Sequence, residues 1–174
     1  MEININCDLG EKSKHHSNIY DPDLLEIVNS ANVACGYHAG DEETMNQVVK
    51  ISKKNGVSIG AHPGFNDLWG FGRRQIQMST DEIEASVAYQ IGALQAISAT
   101  NNAIVTHVKP HGALNNMSSL DPAIATAIAR GVNLVDPKLI LVAVSGSFLF
   151  SAGQALGLTA VSYTHLTLPT MLWV

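Results

Sequence analysis

Four of the seven histidines in this 174-residue chain, with one lysine and two aspartates, fall at or just after short β-rich runs. The densest group is His107-Val108-Lys109-Pro110-His111-Gly112. Proline restricts the residue before it to extended geometry, so Lys109 is held in a defined direction. A lysine held among histidines and partly desolvated binds an anion or assists proton transfer, whereas one on an open surface does neither. Gly36-Tyr37-His38-Ala39-Gly40-Asp41 lets a ligand approach the backbone, because glycine and alanine leave room. Its Asp41 suits a metal ligand or a general base, and equally the N-cap of the helix that follows. Asp8, with Gly10 close behind, stands where a carboxylate is aimed into a barrel mouth or where an Asp simply forms a turn.

The segment from His62 to Met78 is long for a connection and rich in glycine and aromatic residues, and such loops are often functional. Arg73 and Arg74 fit a clamp for carboxylate or phosphate through their planar donor forks, or a solvated pair ahead of a helix. Asp8, His38, His62, His107 and His111 offer the oxygen and imidazole ligands that zinc and similar ions favour. Asp8, His38 and His62 are the first choices for a divalent metal. His107 and His111 are four apart, but at a strand end that interval does not guarantee a shared face. The sequence contains no GxxxxGK[ST] phosphate loop and no GxSxG nucleophile elbow. Cys7 and Cys35 read as small core residues, not nucleophiles.

These side chains need elements to carry them, and β-rich runs alternate with amphipathic helical stretches. Strands are expected at residues 3–7, 31–35, 57–61, 103–108, 139–144 and 158–161. Asp21-Pro22 and Asp121-Pro122 each set an N-cap Asp before a proline at the first helical position. Asp41 precedes a helix with acids first, lysines last and Gly56 at its end. Ser79-Thr80-Asp81-Glu82 is a capping box, followed by Ile83, Val87, Ile91, Leu94 and Ile97 at helical spacing. A final helix spans 147–156. Repeated βα steps imply a parallel sheet with right-handed crossovers. A doubly wound sheet would gather its ligands at one switch point. Here every strand delivers polar side chains at its C-terminal end, which favours a (β/α) barrel about two strands short of the usual eight.

Composition narrows the function further. The chain is 46% hydrophobic and 14% charged, with 10 Lys+Arg against 15 Asp+Glu and a net charge of −5. That suits one globular domain and carries no basic stripe for nucleic acid. The apolar stretch at 139–158 is broken by Ser145, Gly146, Ser147, Ser151, Gly153, Gln154 and Gly157, so no membrane span is expected. No signal peptide is expected either, and two cysteines without a CxxC suit a reducing compartment. The expected location is the cytoplasm.

Five motifs occur in order: Asn6-Cys7-Asp8-Leu9-Gly10-Glu11, Ser30-Ala31-Asn32-Val33-Ala34-Cys35-Gly36-Tyr37-His38-Ala39-Gly40-Asp41, Ile59-Gly60-Ala61-His62-Pro63-Gly64, Gly70-Phe71-Gly72-Arg73-Arg74 and His107-Val108-Lys109-Pro110-His111-Gly112-Ala113-Leu114. Together they closely resemble the LamB/YcsF family over residues 1–161. The resemblance implies a (β/α) barrel of the glycoside hydrolase/deacetylase type, here incomplete because its C-terminal strands are missing. It implies ATP-dependent hydrolysis of 5-oxo-L-proline to L-glutamate, with ATP as co-substrate and 5-oxoprolinase subunits B and C as partners. Phosphorylation of the lactam oxygen would make it a leaving group before water opens the ring. Asp8, His38, Asp41, His62, Lys109 and His111 are then the catalytic candidates, and Arg73, Arg74 and His107 the substrate- or phosphate-binding ones. A stand-alone metal-dependent deacetylase or amidohydrolase, and a non-catalytic scaffold protein of the complex, are the alternatives. Two departures stand out: Lys12-Ser13-Lys14-His15-His16 replaces a small-aromatic stretch, and residues 162–174 resemble translated adapter sequence, a non-native tail.

Overall fold

The computed structural model describes residues 4–14 and 16–163. Six strands form one parallel sheet: β1 (Asn6–Leu9), β2 (Ser30–Ala34), β3 (Ser58–His62), β4 (Val105–Val108), β5 (Ile140–Val144) and β6 (Ala160–Tyr163). They lie in the order in which they occur in the chain, each paired in parallel with the next. With crossovers of one hand, that order puts all the helices on one face. The other face curls into the interior of a partial barrel, as the βα repeat leads one to expect.

The connecting helices are α1 (Asp21–Leu24), α2 (Glu42–Asn55), α3 (Thr80–Thr100), α4 (Gly112–Leu120), α5 (Pro122–Val135) and α6 (Phe148–Ala155). Their apolar faces and the outward residues of the strands form one core, with Val33, Ile59, Ala61, Val108 and Leu141 of the sheet against Val48, Val87, Ile91, Leu94, Ile128 and Leu149. α5 lies tight on α3 because it offers Ala127, Ala129 and Gly131; a Cβ at Gly131 would come within 2.7 Å of the Glu84 carbonyl. The predicted helix signals act as read: Asp41 caps α2, Gly56 ends it at φ +70°, Ser79 and Glu82 form the capping box of α3, and Asp121 caps α5. None of the helices among the described residues is long and apolar enough to cross a membrane.

The fold departs from the sequence pattern in three places. Asp21 is not an N-cap: Tyr20 holds that position, and the Asp21 carboxylate instead accepts the Gly10 N–H at 2.8 Å. With its cap residue engaged elsewhere, α1 runs for only 4 residues. α4 has no counterpart among the expected helices, because Gly112, Asn115, Asn116, Ser118 and Ser119 are weak helix formers. Strand β6 runs past the expected boundary at Val161, with Tyr163 paired to Val144. The rest of the expected tail, 164–174, lies outside the described residues.

Candidate active site

Strand side chains alternate between faces, so register decides which residues share the barrel interior. Asp8 pairs with Asn32, Asn32 with Gly60, and Gly60 with His107, which makes one interior layer from four strands. Gly60 is required there: a Cβ would lie 2.2 Å from the His107 ring. The layer is a polar network with a fixed direction. The Asp8 carboxylate only accepts, so it draws the Asn32 amide N–H₂ at 2.7 Å. That turns Asn32 Oδ1 toward His107, whose Nε2–H donates at 3.0 Å. Burial, with His62 and Lys109 adding to it, pushes His107 down to about 4, so it is neutral at pH 7.

Above this layer the loops complete a cage. Gly10 at φ +71° turns the chain so that Glu11 points back over the strand ends. Glu11 Oε1 lies 3.0 Å from His38 Nε2, 3.1 Å from His111 Nδ1 and 3.6 Å from His62 Nε2. His38 and His111 stack at 3.8 Å with rings 5° apart, and His62 stands edge-on to both. Two tautomers follow from the backbone. His62 Nδ1–H donates to the Lys109 carbonyl, and His111 Nε2–H donates to the Phe71 carbonyl at 2.8 Å. The remaining nitrogens, His62 Nε2 and His111 Nδ1, therefore face each other at 3.1 Å with lone pairs. Only a proton or a cation between them relieves that repulsion.

The four donor atoms of Glu11, His38, His62 and His111 lie within 4.8 Å of one another. Three imidazoles and a carboxylate are a zinc-type donor set, and two of the imidazoles, His62 and His111, are locked from behind by carbonyls, the usual supporting arrangement. The residues present fit a divalent metal. Burial opposes ionisation of Glu11, yet the His111, His38 and His62 imidazoles gathered around it hold it well below the usual carboxylate range. Burial dominates at His38 and pushes it down to about 4 despite Glu11.

Beside the cage an open cavity of about 240 Å³ is lined by Asp8, His62, Arg73, Lys109, His111 and Asn115. Lys109 Nζ reaches Asp8 Oδ1 at 2.8 Å and Oδ2 at 2.9 Å, while His62 Nε2 approaches Oδ2 at 3.4 Å. Burial works against the Asp8 charge, but His62 and Lys109 outweigh it and hold the carboxyl well below its ordinary value. Lys109 is directed inward because its own N–H is tied to the Ala61 carbonyl at 2.9 Å.

The structure brings Asp8, His38, His62, Lys109 and His111 to one mouth, and separates the rest. Asp41 is an N-cap accepting the Thr44 N–H at 2.7 Å, away from the cage. Arg74 grips the buried Asp67, so of the predicted pair only Arg73 faces the cavity. His107 lies in the layer beneath the cage and does not line the cavity. Among metal candidates, Asp8 gives way to Glu11, because Lys109 holds Asp8 at the other pole. Cys35 is pushed up to about 12 and Cys7 to about 11, chiefly by burial, as unreactive thiols require.

His107 also predicts a pH dependence. Its folded pKa lies below the unfolded value near 6.5, so between pH 6.5 and about 4 the unfolded chain binds the extra proton. Stability should therefore fall with acidification through that window, by up to about 1.4 kcal/mol per pH unit from this group. Urea denaturation at pH 7.5 and 5.0 measures it, and His107→Gln should flatten the slope by roughly half a proton averaged over that interval.

Known proteins are similar to this chain in sequence and in fold. The profile of the LamB/YcsF family matches residues 3–166. A Staphylococcus carnosus protein named as the A subunit of 5-oxoprolinase is 53% identical over 162 residues, which cover 93% of this chain and 64% of that one. The protein of the same name from Nitrobacter hamburgensis is 51% identical over 162 residues, covering 92% and 64%. A crystal structure of a lactam utilization protein from Thermus thermophilus superposes with a TM-score of 0.89 at 41% identity, over 93% of this chain and 66% of that one. The chain thus spans about two thirds of the length of these relatives.

Proposed function

The chain belongs to the LamB/YcsF family, and from that premise we propose that it serves as the A subunit of a 5-oxoprolinase, acting with subunits B and C and ATP to hydrolyse 5-oxo-L-proline to L-glutamate. The observation that carries this reading is the Lys109–Asp8 pair beside His62 in an open cavity. A lactam amide is unreactive, and its hydrolysis needs positive charge where the carbonyl oxygen becomes negative and a base where water loses a proton. Lys109 supplies the first, with Arg73 at the cavity edge to hold a carboxylate or phosphoryl group. Asp8, ionised and one-third exposed, supplies the second. ATP gives its γ-phosphoryl group to the ring carbonyl oxygen and leaves as ADP. Water oxygen then adds to that carbon as its proton passes to Asp8, and the C–N bond breaks as the nitrogen takes that proton from Asp8. A second water releases phosphate from the resulting acyl phosphate to leave glutamate.

The cage of Glu11, His38, His62 and His111 would hold a divalent metal, which when bound polarises an oxygen or lowers the pKa of water. The cage also favours a second reading, a metal-dependent amidohydrolase that needs neither ATP nor partners. One experiment separates them: the full chain is assayed with 5-oxoproline, alone with Zn²⁺ and then with subunits B, C and ATP. The proposal expects glutamate and ADP only in the second mixture, and ADP release indifferent to 5-oxoproline would overturn it.

A further inference from the structure

Phe71 is a non-glycine residue at φ +53°, in the left-handed region that a bulky side chain rarely adopts, and Gly72 follows at +63°. Such a conformation persists only where the surroundings enforce it. Here the enforcement is visible. Asp67 is buried, accepts the Gly70 N–H at 2.9 Å and is gripped by Arg74, while Gly72 N–H donates to the Asp67 carbonyl at 3.0 Å. The turn delivers two consecutive carbonyls to the start of α4. That of Gly72 accepts the Ala113 N–H at 2.9 Å, and that of Phe71 accepts His111 Nε2–H at 2.8 Å. Neither glycine beside this contact tolerates a side chain: a Cβ at Gly72 would meet His38 at 2.7 Å, and one at Gly112 would meet the Gly72 carbonyl at 2.6 Å. The Phe71 ring then stands edge-on to His38 at 5.7 Å and His111 at 5.1 Å.

We propose that Phe71 is a positioning residue: its strained backbone, braced by Asp67 and Arg74, fixes His111 in the Nε2–H tautomer so that Nδ1 presents a lone pair to the cage. The carbonyl does the positioning, and the ring shields the stacked imidazoles. This assigns Arg74 a use that an anion clamp does not. The inference rests on the reading of the cage as a functional centre, but its first measurement needs no metal and no turnover.

Two substitutions divide carbonyl from ring. Phe71→Gly removes the ring and adopts positive φ freely, so the carbonyl stays. Phe71→Val is β-branched and drives the backbone out of the left-handed region. Imidazole ¹⁵N shifts of the full-length chain without added metal should show His111 as Nε2–H in wild type and Phe71→Gly, and as a tautomer mixture in Phe71→Val. His62, locked independently by the Lys109 carbonyl, should stay Nδ1–H in all three and reports that the Val variant is folded. Calorimetric titration with Zn²⁺ should then show an affinity loss of about 10–100-fold for Phe71→Val and little change for Phe71→Gly. An unchanged His111 tautomer in Phe71→Val, or its loss in Phe71→Gly, would overturn the proposal. Absence of Zn²⁺ binding in wild type with the tautomers as stated would instead overturn the metal reading and leave the lock standing.

Discussion

Glu11→Gln is expected to weaken Zn²⁺ binding by more than the 10–100-fold typical of outer-shell substitutions, whereas Asp8→Asn should cost less than about 10-fold. One oxygen of Glu11 faces all three imidazoles of the cage, at 3.0, 3.1 and 3.6 Å. It is also the only anionic donor in that set. The amide keeps the shape of the carboxylate but loses its charge. Asp8 approaches His62 at 3.4 Å but is held on its far side by Lys109, which engages both of its oxygens. Calorimetric titration of the two variants decides between them. Equal losses would make Asp8 a ligand, as its place at a strand end suggests, and a larger loss in Asp8→Asn would remove Glu11 from the set.

Glu11 also shows where the sequence stops being legible. Its motif is visible, and Asp8 within it reads correctly as a strand-end residue. The direction of the next turn does not show, because it is set by Gly10 at φ +71° and by the Asp21 carboxylate that anchors its N–H. The same Asp21 reads as a helix cap, since Asp-Pro has that local meaning and the tertiary contact to Gly10 leaves no local trace. Strand-end histidines are easier. Register in a parallel sheet follows from alternation, which brings His62 and His107 toward one interior. It does not say that they occupy different heights, one in the cage and one in the layer below. Arg73 and Arg74 show a third kind of limit: adjacent residues read as one clamp, while the fold sends one to the cavity and the other to Asp67. The sequential strand order is the most legible feature, since strand-end chemistry repeated along the chain is hard to reconcile with a single switch point.

Lys109→Met should lower turnover of 5-oxoproline by about 10²–10³-fold in a mixture with subunits B, C and ATP, mainly through kcat. Lys109 lies at the cavity floor, 13% exposed, with its ammonium on both oxygens of Asp8. Its charge has two uses. It stabilises an oxyanion as the lactam carbonyl is attacked, an interaction made mostly in the transition state and therefore seen in kcat more than in KM. It also helps keep Asp8 ionised, together with His62 and against burial. Methionine retains the length of the side chain and removes both effects. The acid limb of the pH–rate profile should accordingly move to higher pH in the variant, because an Asp8 without Lys109 takes up its proton earlier as pH falls. Lys109→Arg should keep Asp8 ionised, since a guanidinium fork engages both carboxylate oxygens, yet restore turnover only in part, because its larger planar head does not place a compact positive charge at the oxyanion position. Zn²⁺ affinity should change far less than turnover, because Lys109 contributes to the cage only the backbone carbonyl that orients His62, and every substitution at this position retains it. Turnover within about threefold of wild type would show that neither effect of Lys109 is needed, and would move the oxyanion-holding role to Arg73, which also lines the cavity.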